Sequence, residues 1–439
     1  MLEKLPRTGQ LLLATALATA GALASAQQVP QVVKPPLSQA WIDVATFGGM
    51  GMPAGMPGMP GMAGAGAANP LSMLGGLFGG VVGGAGGSGT AGGNVFGNTQ
   101  TMSAGRWVDV TLYTRNNLQL PEAQQAVPPG FMSQALKLQS PPATRGTAPD
   151  PGDERVVEEG EQQRPKGRML LYWGCGDTVR AGQPRVVDFA TASPADLARF
   201  FQSRRATQRG SHSAVGRPIW PSVADVRSVP PQASLVGEHA FSGAGVPEGF
   251  RFQWPAAQDL MPAIALKQQD AAGVTQLSWS ALPQARAYFI AGMGSRANDE
   301  MVIWTSSEQP DIGFGLIDYQ TNPAVDRWLK EQVLLAPQAT SCHVPKGVFT
   351  GEGAMLRMIA YGSELNLAYP PRPTDPKLPW EPVWATKIRV KSVTMAMVGM
   401  DMSGAAGGKD SDAAPAKEPE NKPTTLPSVK DALKGIFGR

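Results

Sequence analysis

Five methionines, Met50, Met52, Met56, Met59 and Met62, stand two to four residues apart around the stretch GMPAGMPGMPGM. Thioethers are soft donors that suit Cu(I), and a loose chain can wrap such an ion without strain. A second group, Met395, Met397, Met400 and Met402, lies near the end of a run that reads as a strand, where alternate methionines also serve as ordinary core residues. Neither group contains a histidine, and His343, the nearest in sequence, is remote from both. Copper binding therefore competes with a plainer reading, compositional drift in a low-complexity linker.

Three other groups carry potential chemistry. Arg199, Arg204, Arg205, Arg209 and Arg217, with His212, fall in a stretch without an acidic residue between Asp196 and Asp225. Arginine binds phosphate and carboxylate groups bidentately, so this stretch suits lipid phosphates or acidic polysaccharide; the alternative is a solvated loop. Cys175 and Cys342 are the only cysteines, and one intramolecular pairing is open to them. Two buried free thiols would leave the same sequence, and a bridge would contribute about 3 to 5 kcal/mol by closing a very long loop. Trp380 and Trp384 stand in YPPRPTDPKLPWEPVW, where they either stack on a sugar or partner or cover the edge of a core.

The usual marks of an enzyme are missing from the sequence. It has no G-x-S-x-G, H-E-x-x-H, P-loop or strand-to-helix G-x-G-x-x-G. His212, His239 and His343 lack metal-ligand spacing, and His343 is the sequence neighbour of Cys342, which is not how a thiol nucleophile meets its base. No cofactor is expected. A carboxylate pair acting on an envelope polymer would come together only in the fold, so a hydrolase stays open as an alternative.

The elements that must position these residues begin with residues 1–26. Lys4 and Arg7 precede an apolar stretch from Leu11 to Leu23 and the small-residue site Ala24-Ser25-Ala26, the layout of a cleavable secretory signal peptide. Export to the periplasm or beyond follows as an expectation, and it places both cysteines where a disulfide persists. With 38 basic and 35 acidic residues the chain has no global pull toward nucleic acid or membrane.

Fifty-two glycines and 40 prolines sit in clusters, which limits the ordered core. Residues 27–105 read as a flexible Gly/Met/Pro-rich arm. Within it Gly75, Gly79, Gly83 and Gly87 recur every four residues, a small-residue spacing that packs helices closely but lies in an apolar run too short to span a bilayer. Order begins with RWVDVTLYTR, and residues 106–249 read as a β-rich domain with an internal loop at 140–167. Strands are expected at RMLLYWGCG, PRVVDFA and ASLVGEHAF, and a short helix after Ser193-Pro194.

Residues 250–402 read as a second β domain with strands at VTQLSWS, ARAYFIAGMG, EMVIWTSSE, AMLRMIAYG and ATKIRVKSVTMAMV. A helix is expected from Asn322-Pro323, with Val325, Trp328, Leu329 and Val333 as its apolar face. The fold class expected is thus mainly β, two sandwich-like domains with short helices between flexible flanks.

The spacing of Leu277, Trp279, Pro283, Ala285 and Tyr288 resembles the B to C strand region of fibronectin type III and related immunoglobulin-like sandwiches, and Tyr361 stands where those domains often carry a core tyrosine. The resemblance covers at most Arg251 to Val398, and the helix expected at Pro323 to Leu335 departs from it. It implies a sandwich and mainly adhesion or interaction roles.

After a charged linker at 403–427, SVKDALKGIFGR (428–439) has helical spacing in Leu433, Ile436 and Phe437, a face for docking on a partner groove. So short a helix needs a surface to fold against. The sequence as a whole points to an exported, non-enzymatic envelope protein with a structural or interaction role. It would have a protein partner, no nucleic acid and no membrane span, with peripheral membrane or polysaccharide contact as a further option. The alternatives are a copper binder through the methionines and the polymer hydrolase.

Overall fold

The segment SQAWIDVATF alternates large apolar residues with Asp43 and Thr46 and is buried along almost its whole length. A strand buried on both faces belongs in the middle of a sheet, and this one does. The computed structural model describes residues 31–48, 97–100, 104–142, 167–227, 229–298, 300–350 and 354–398. Within them the chain is mainly β. Its elements are β1 (Ser38–Phe47), β2 (Gly105–Thr114), β3 (Glu122–Ala126), β4 (Ala135–Gln139), β5 (Arg168–Trp173), β6 (Arg185–Asp188), helix α1 (Pro194–Phe200), β7 (Ile219–Trp220), β8 (Gly237–Ser242) and β9 (Arg251–Trp254). They continue with β10 (Lys267–Ala271), β11 (Val274–Ser278), β12 (Ala287–Arg296), β13 (Glu300–Thr305), helix α2 (Asn322–Lys330), β14 (Ser341–Val344), β15 (Met355–Tyr361), β16 (Leu365–Tyr369) and β17 (Trp384–Met397).

One large sheet runs β6-β5-β13-β12-β15-β17-β1-β2-β7-β4-β3-β8-β9, with β16 also on β17, and a small sheet is ordered β10-β11-β14. β1 pairs in parallel with β17, Ser38 opposite Trp384 through Phe47 opposite Val393. On its other side it pairs antiparallel with β2 over the same ten residues. Ser38–Phe47 is therefore a correction to the flexible arm drawn over 27–105. Strands from either side of residue 249 also mix: β5 lies in parallel beside β13, and β17 reaches β2 through β1. The 106–249 and 250–402 segments thus share one sheet.

The sheet curls back on itself. Six strands separate β17 from β9 in the hydrogen-bonded order, yet Trp384 stacks on Phe250, next to β9, at 4.9 Å and 10°. The enclosed face holds Ala40, Ile42, Val44, Val110, Leu112, Ile388 and Val390 with Leu277 and Val344 of the small sheet. Cys175, just after β5, is bonded to Cys342 of β14 with Cα atoms 5.2 Å apart, and this bridge ties the small sheet to the large one.

The opposite face is covered by the two helices and by irregular chain. α1 starts as its sequence suggests: Ser193 Oγ accepts from the Asp196 amide, Asp196 accepts from the Ser193 amide, and Pro194 opens the first turn. α2 buries Ala324, Val325 and Trp328 against Phe47, Phe289 and Tyr361. It stops at Lys330, short of the expected Leu335. Gln332 turns the chain at φ +57°, and Val333 and Leu334 reach the core from that turn.

Candidate functional site

Alternation along β17 puts Lys387, Arg389 and Lys391 on the helix-covered face, and the pairing registers set Asp43 directly between Arg389 and Asp109. Such charges would ordinarily face water. Here they lie under residues 202–216 and 311–321. Arg389 Nε and Nη2 donate to the two oxygens of Asp43, both at 2.6 Å, and the side chains are 7% and 2% exposed. Arg389 Nη1 donates to the Gln208 carbonyl at 2.7 Å, and its guanidinium lies 4.3 Å over the Tyr319 ring. Burial works against the Arg389 charge, but the Asp43 carboxylate outweighs it and holds the group above its ordinary range.

Ser211 completes the Asp43 shell from above: its amide and Oγ donate at 3.0 and 2.7 Å. Gly210 sits so close that a Cβ there would lie 1.8 Å from Arg389 Nη2 and 2.4 Å from Asp43 Oδ2. Only glycine lets the loop touch the pair. Beside it Lys391, 1% exposed, donates to Asp318 at 2.9 Å and lies 4.2 Å from the Tyr319 centroid, so the ring is flanked by two cations. Burial lowers Lys391 despite that carboxylate. Burial would raise Asp318, yet Lys391 and then Arg389 bring it down to about 2. Burial raises Asp109 to about 6, against donation from the Thr99 hydroxyl and amide at 2.6 and 2.8 Å.

Each of these charges has a designated partner, so the row clamps the two covering segments onto the sheet. The expected arginines scatter from it. Arg199 is in the last turn of α1. Arg204 pairs with Asp311 at 3.1 Å and with Glu331 at 3.6 Å. Arg205 is exposed. Only Arg209 and Arg217 share a locality, and His212 joins them. The Arg217 guanidinium lies 4.9 Å over Tyr113 and 5.9 Å over Trp41, and Nη1 donates to His212 Nε2. His212 Nδ1 donates to the Gly210 carbonyl at 2.8 Å, its amide donates to Thr111 Oγ1 at 3.0 Å, and its ring meets Trp41 edge-on at 5.0 Å. Burial lowers His212, and Arg209 and Arg217 push the same way. Among the described residues neither Arg209 nor Arg217 has an ion-pair partner.

The other histidines are structural in their contacts. His239 is fully buried, donating through Nε2 to Leu235 O at 2.7 Å and accepting through Nδ1 from Gln125 at 3.0 Å; burial lowers it to about 4. His343 meets Asp177 at 2.7 Å near the disulfide. Of the tryptophans, Trp384 is core, while Trp380 is half-exposed beneath Arg372 at 5.6 Å. A cleft of 360 Å³ by Thr46, Phe47, Arg106 and Pro262 has its one charged group already engaged, since Arg106 donates to the Ala233 and Leu260 carbonyls at 3.0 and 3.2 Å.

Residues 32–37 and 378–383 are joined through Lys34 N to Trp380 O, Trp380 N to Val32 O and Leu37 N to Pro382 O. Val32, Val33, Leu37, Tyr369 and Leu378 stay exposed there. That apolar apron was not legible in the sequence, because its halves are some 340 residues apart and each alone reads as linker. Met50, Met52, Met56, Met59 and Met62, the glycine repeat, the leader and Leu433, Ile436 and Phe437 lie outside the described residues. Among the described residues no three His, Cys, Asp or Glu side chains group to hold a metal ion, and no helix is long and apolar enough to cross a membrane. No family model, curated protein or solved structure matches the chain.

Proposed function

We propose that the chain is an exported, non-enzymatic protein of the cell envelope, periplasmic or extracellular, whose task is to hold a protein partner. The observation that carries this reading is the apron of Val32, Val33, Leu37, Tyr369 and Leu378, five large apolar residues left exposed at one junction. Scattered surface apolar residues need no explanation, but a group left exposed on two segments that backbone bonds hold together suits an interaction surface. The Cys175–Cys342 bridge adds support, since such bonds persist in oxidising compartments. The partner accordingly belongs to the envelope, and its contact face is apolar.

Crosslinking in the native envelope, followed by affinity isolation of the tagged protein, tests this. Val33→Asp and Leu378→Asp change residues that are 50% and 53% exposed. Both variants are expected to keep the wild-type melting midpoint and lose the co-purified partner. Retention of the partner by both removes the apron from the proposal, and absence of a partner in every envelope fraction overturns the interaction reading. Deleting residues 428–439 separates the contribution of Leu433, Ile436 and Phe437 from that of the apron.

A further inference from the structure

The loop from Arg209 to Arg217 is held more firmly than an irregular arginine-rich segment requires. Ser211 is bonded twice to Asp43, the His212 amide to Thr111 Oγ1, Thr111 Oγ1 to the His212 carbonyl at 3.0 Å, and the Arg217 amide to Ala214 O at 3.1 Å. Among the described residues the loop's two arginines have no ion-pair partner. Arg209 is exposed, and Arg217 is half-buried against Tyr113 and Trp41. Among the described residues the carboxylate that faces this group is Asp43, already paired with Arg389, so holding two guanidinium groups and an imidazole together opposes folding unless something else gains from the arrangement. Lys387, on the same face, has Glu364 nearby and Gln208 as its contact, so the excess charge rests with the two arginines.

We infer that Arg209, His212 and Arg217 form a binding site for a phosphate monoester group. Two arginines supply the planar donors that match phosphoryl oxygens. The tautomer of His212 supplies the selectivity. A carbonyl only accepts, so the bond to Gly210 O puts the imidazole proton on Nδ1 and leaves a lone pair on Nε2. Arg217 occupies that lone pair in the structure. When Arg217 turns to an incoming anion, Nε2 is free to accept a hydrogen bond, and a hydrogen phosphate carries the P–O–H that can give one. Sulfate and phosphodiesters have only acceptors and would set a lone pair against a lone pair. The groups facing His212 are Arg209, Arg217, the Trp41 edge and, beneath the loop, Asp43. An anion beside the ring raises the proton affinity of His212, and because both nitrogens of the imidazolium donate, the preference for a P–O–H group belongs to the neutral ring, above the His212 midpoint. The inference is independent of the partner-holding apron, which lies on other residues.

The test uses the three histidines of the intact protein as reporters in long-range ¹H–¹⁵N spectra. Inorganic phosphate is titrated at constant ionic strength, with sulfate and chloride as controls, and in parallel vesicles of phosphatidylcholine with and without phosphatidic acid are added. The expected result is a saturable change at His212 alone, moving its midpoint to higher pH, and, at a pH where the free ring is neutral, sulfate weaker by about tenfold, the contribution of one hydrogen bond to a charged group. Arg209→Gln, at an exposed position, is expected to keep the melting midpoint and to weaken phosphate by about tenfold; Arg217→Gln is expected to abolish the response. A response to inorganic phosphate identifies the free ion as sufficient, and a response only to phosphatidic acid identifies a lipid headgroup. No saturable change at His212 with either probe, or an unchanged affinity in Arg209→Gln, overturns the inference.

Discussion

Replacing Arg389 with methionine tests the claim that the buried row clamps loop to sheet. The substitution keeps most of the side-chain volume but leaves the Asp43 carboxylate, 2% exposed, with only Ser211 as donor in place of four charge-assisted contacts. Stranding one member of a buried pair costs about 3 to 5 kcal/mol, and Asp43→Asn, which strands the guanidinium, belongs to the same range. In the double variant neither member of the pair is left as a stranded charge, and the amide that replaces the Asp43 carboxylate can still accept from Ser211. The cost of the double change is expected to fall below that of either single one, to about 1 to 2 kcal/mol, giving a coupling of about 4 kcal/mol or more. The assay is urea unfolding followed by both far-ultraviolet circular dichroism and tryptophan fluorescence, whose coincidence checks two-state behaviour. With a slope of about 3 kcal/mol per M, each single change moves the midpoint by more than about 1 M. Single effects that add to the double within about 0.5 kcal/mol would refute the reasoning, because uncoupled groups are not a clamp.

Further outcomes follow from the same contacts. Gly210→Ala drives a methyl group into Arg389 and Asp43, so it is expected to cost at least about 2 kcal/mol in the same unfolding assay; a neutral effect would mean the loop can lift away freely. His239, lowered to about 4 by burial, contributes stability that is complete above about pH 6.5 and is lost as pH falls through 4, about 3 kcal/mol in all; the slope over that window should flatten in His239→Gln. Asp109 acts in the opposite sense. Its folded value near 6 makes its contribution fall by about 3 kcal/mol as pH rises from about 4 to 6, so Asp109→Asn should remove a loss of stability there, read from urea midpoints across that range. Reducing the Cys175–Cys342 bridge reopens a 167-residue separation and is expected to cost about 5 kcal/mol, seen as a lower urea midpoint under reductant.

Much of the sheet was legible in the sequence because β-branched and aromatic runs carry their own signal. RWVDVTLYT, RMLLYW, EMVIWT and MLRMIAY became β2, β5, β13 and β15, and Ser193-Pro194 opened α1 as its capping chemistry required. EAQQA and LNLAY, which became β3 and β16, have no such signal and are strands through their neighbours. β1 was hidden for another reason. Its ten residues adjoin a Gly/Met-rich stretch, and an aspartate in mid-run reads as exposure. Asp43 is buried only because Arg389 stands in register 346 positions away, a pairing no local pattern encodes. The arginine locality was visible as composition, but Arg204 and Arg217 have opposite fates, one neutralised by Asp311 and the other laid on Tyr113, and only the fold separates them.

The clamp and the cationic loop are mechanically one unit. Asp43 bonds Arg389 on the sheet and Ser211 in the loop, so the residues that anchor the loop sit between the groups it displays, Arg209 on one side and His212 with Arg217 on the other. An exposed loop tied only to itself would lose conformational entropy when it closed on an anion. This loop has already given up that freedom in folding, through buried charges whose net contribution to stability is small while their geometry is strict. The buried row therefore matters less as a source of stability than as the reason Arg209, His212 and Arg217 hold one arrangement.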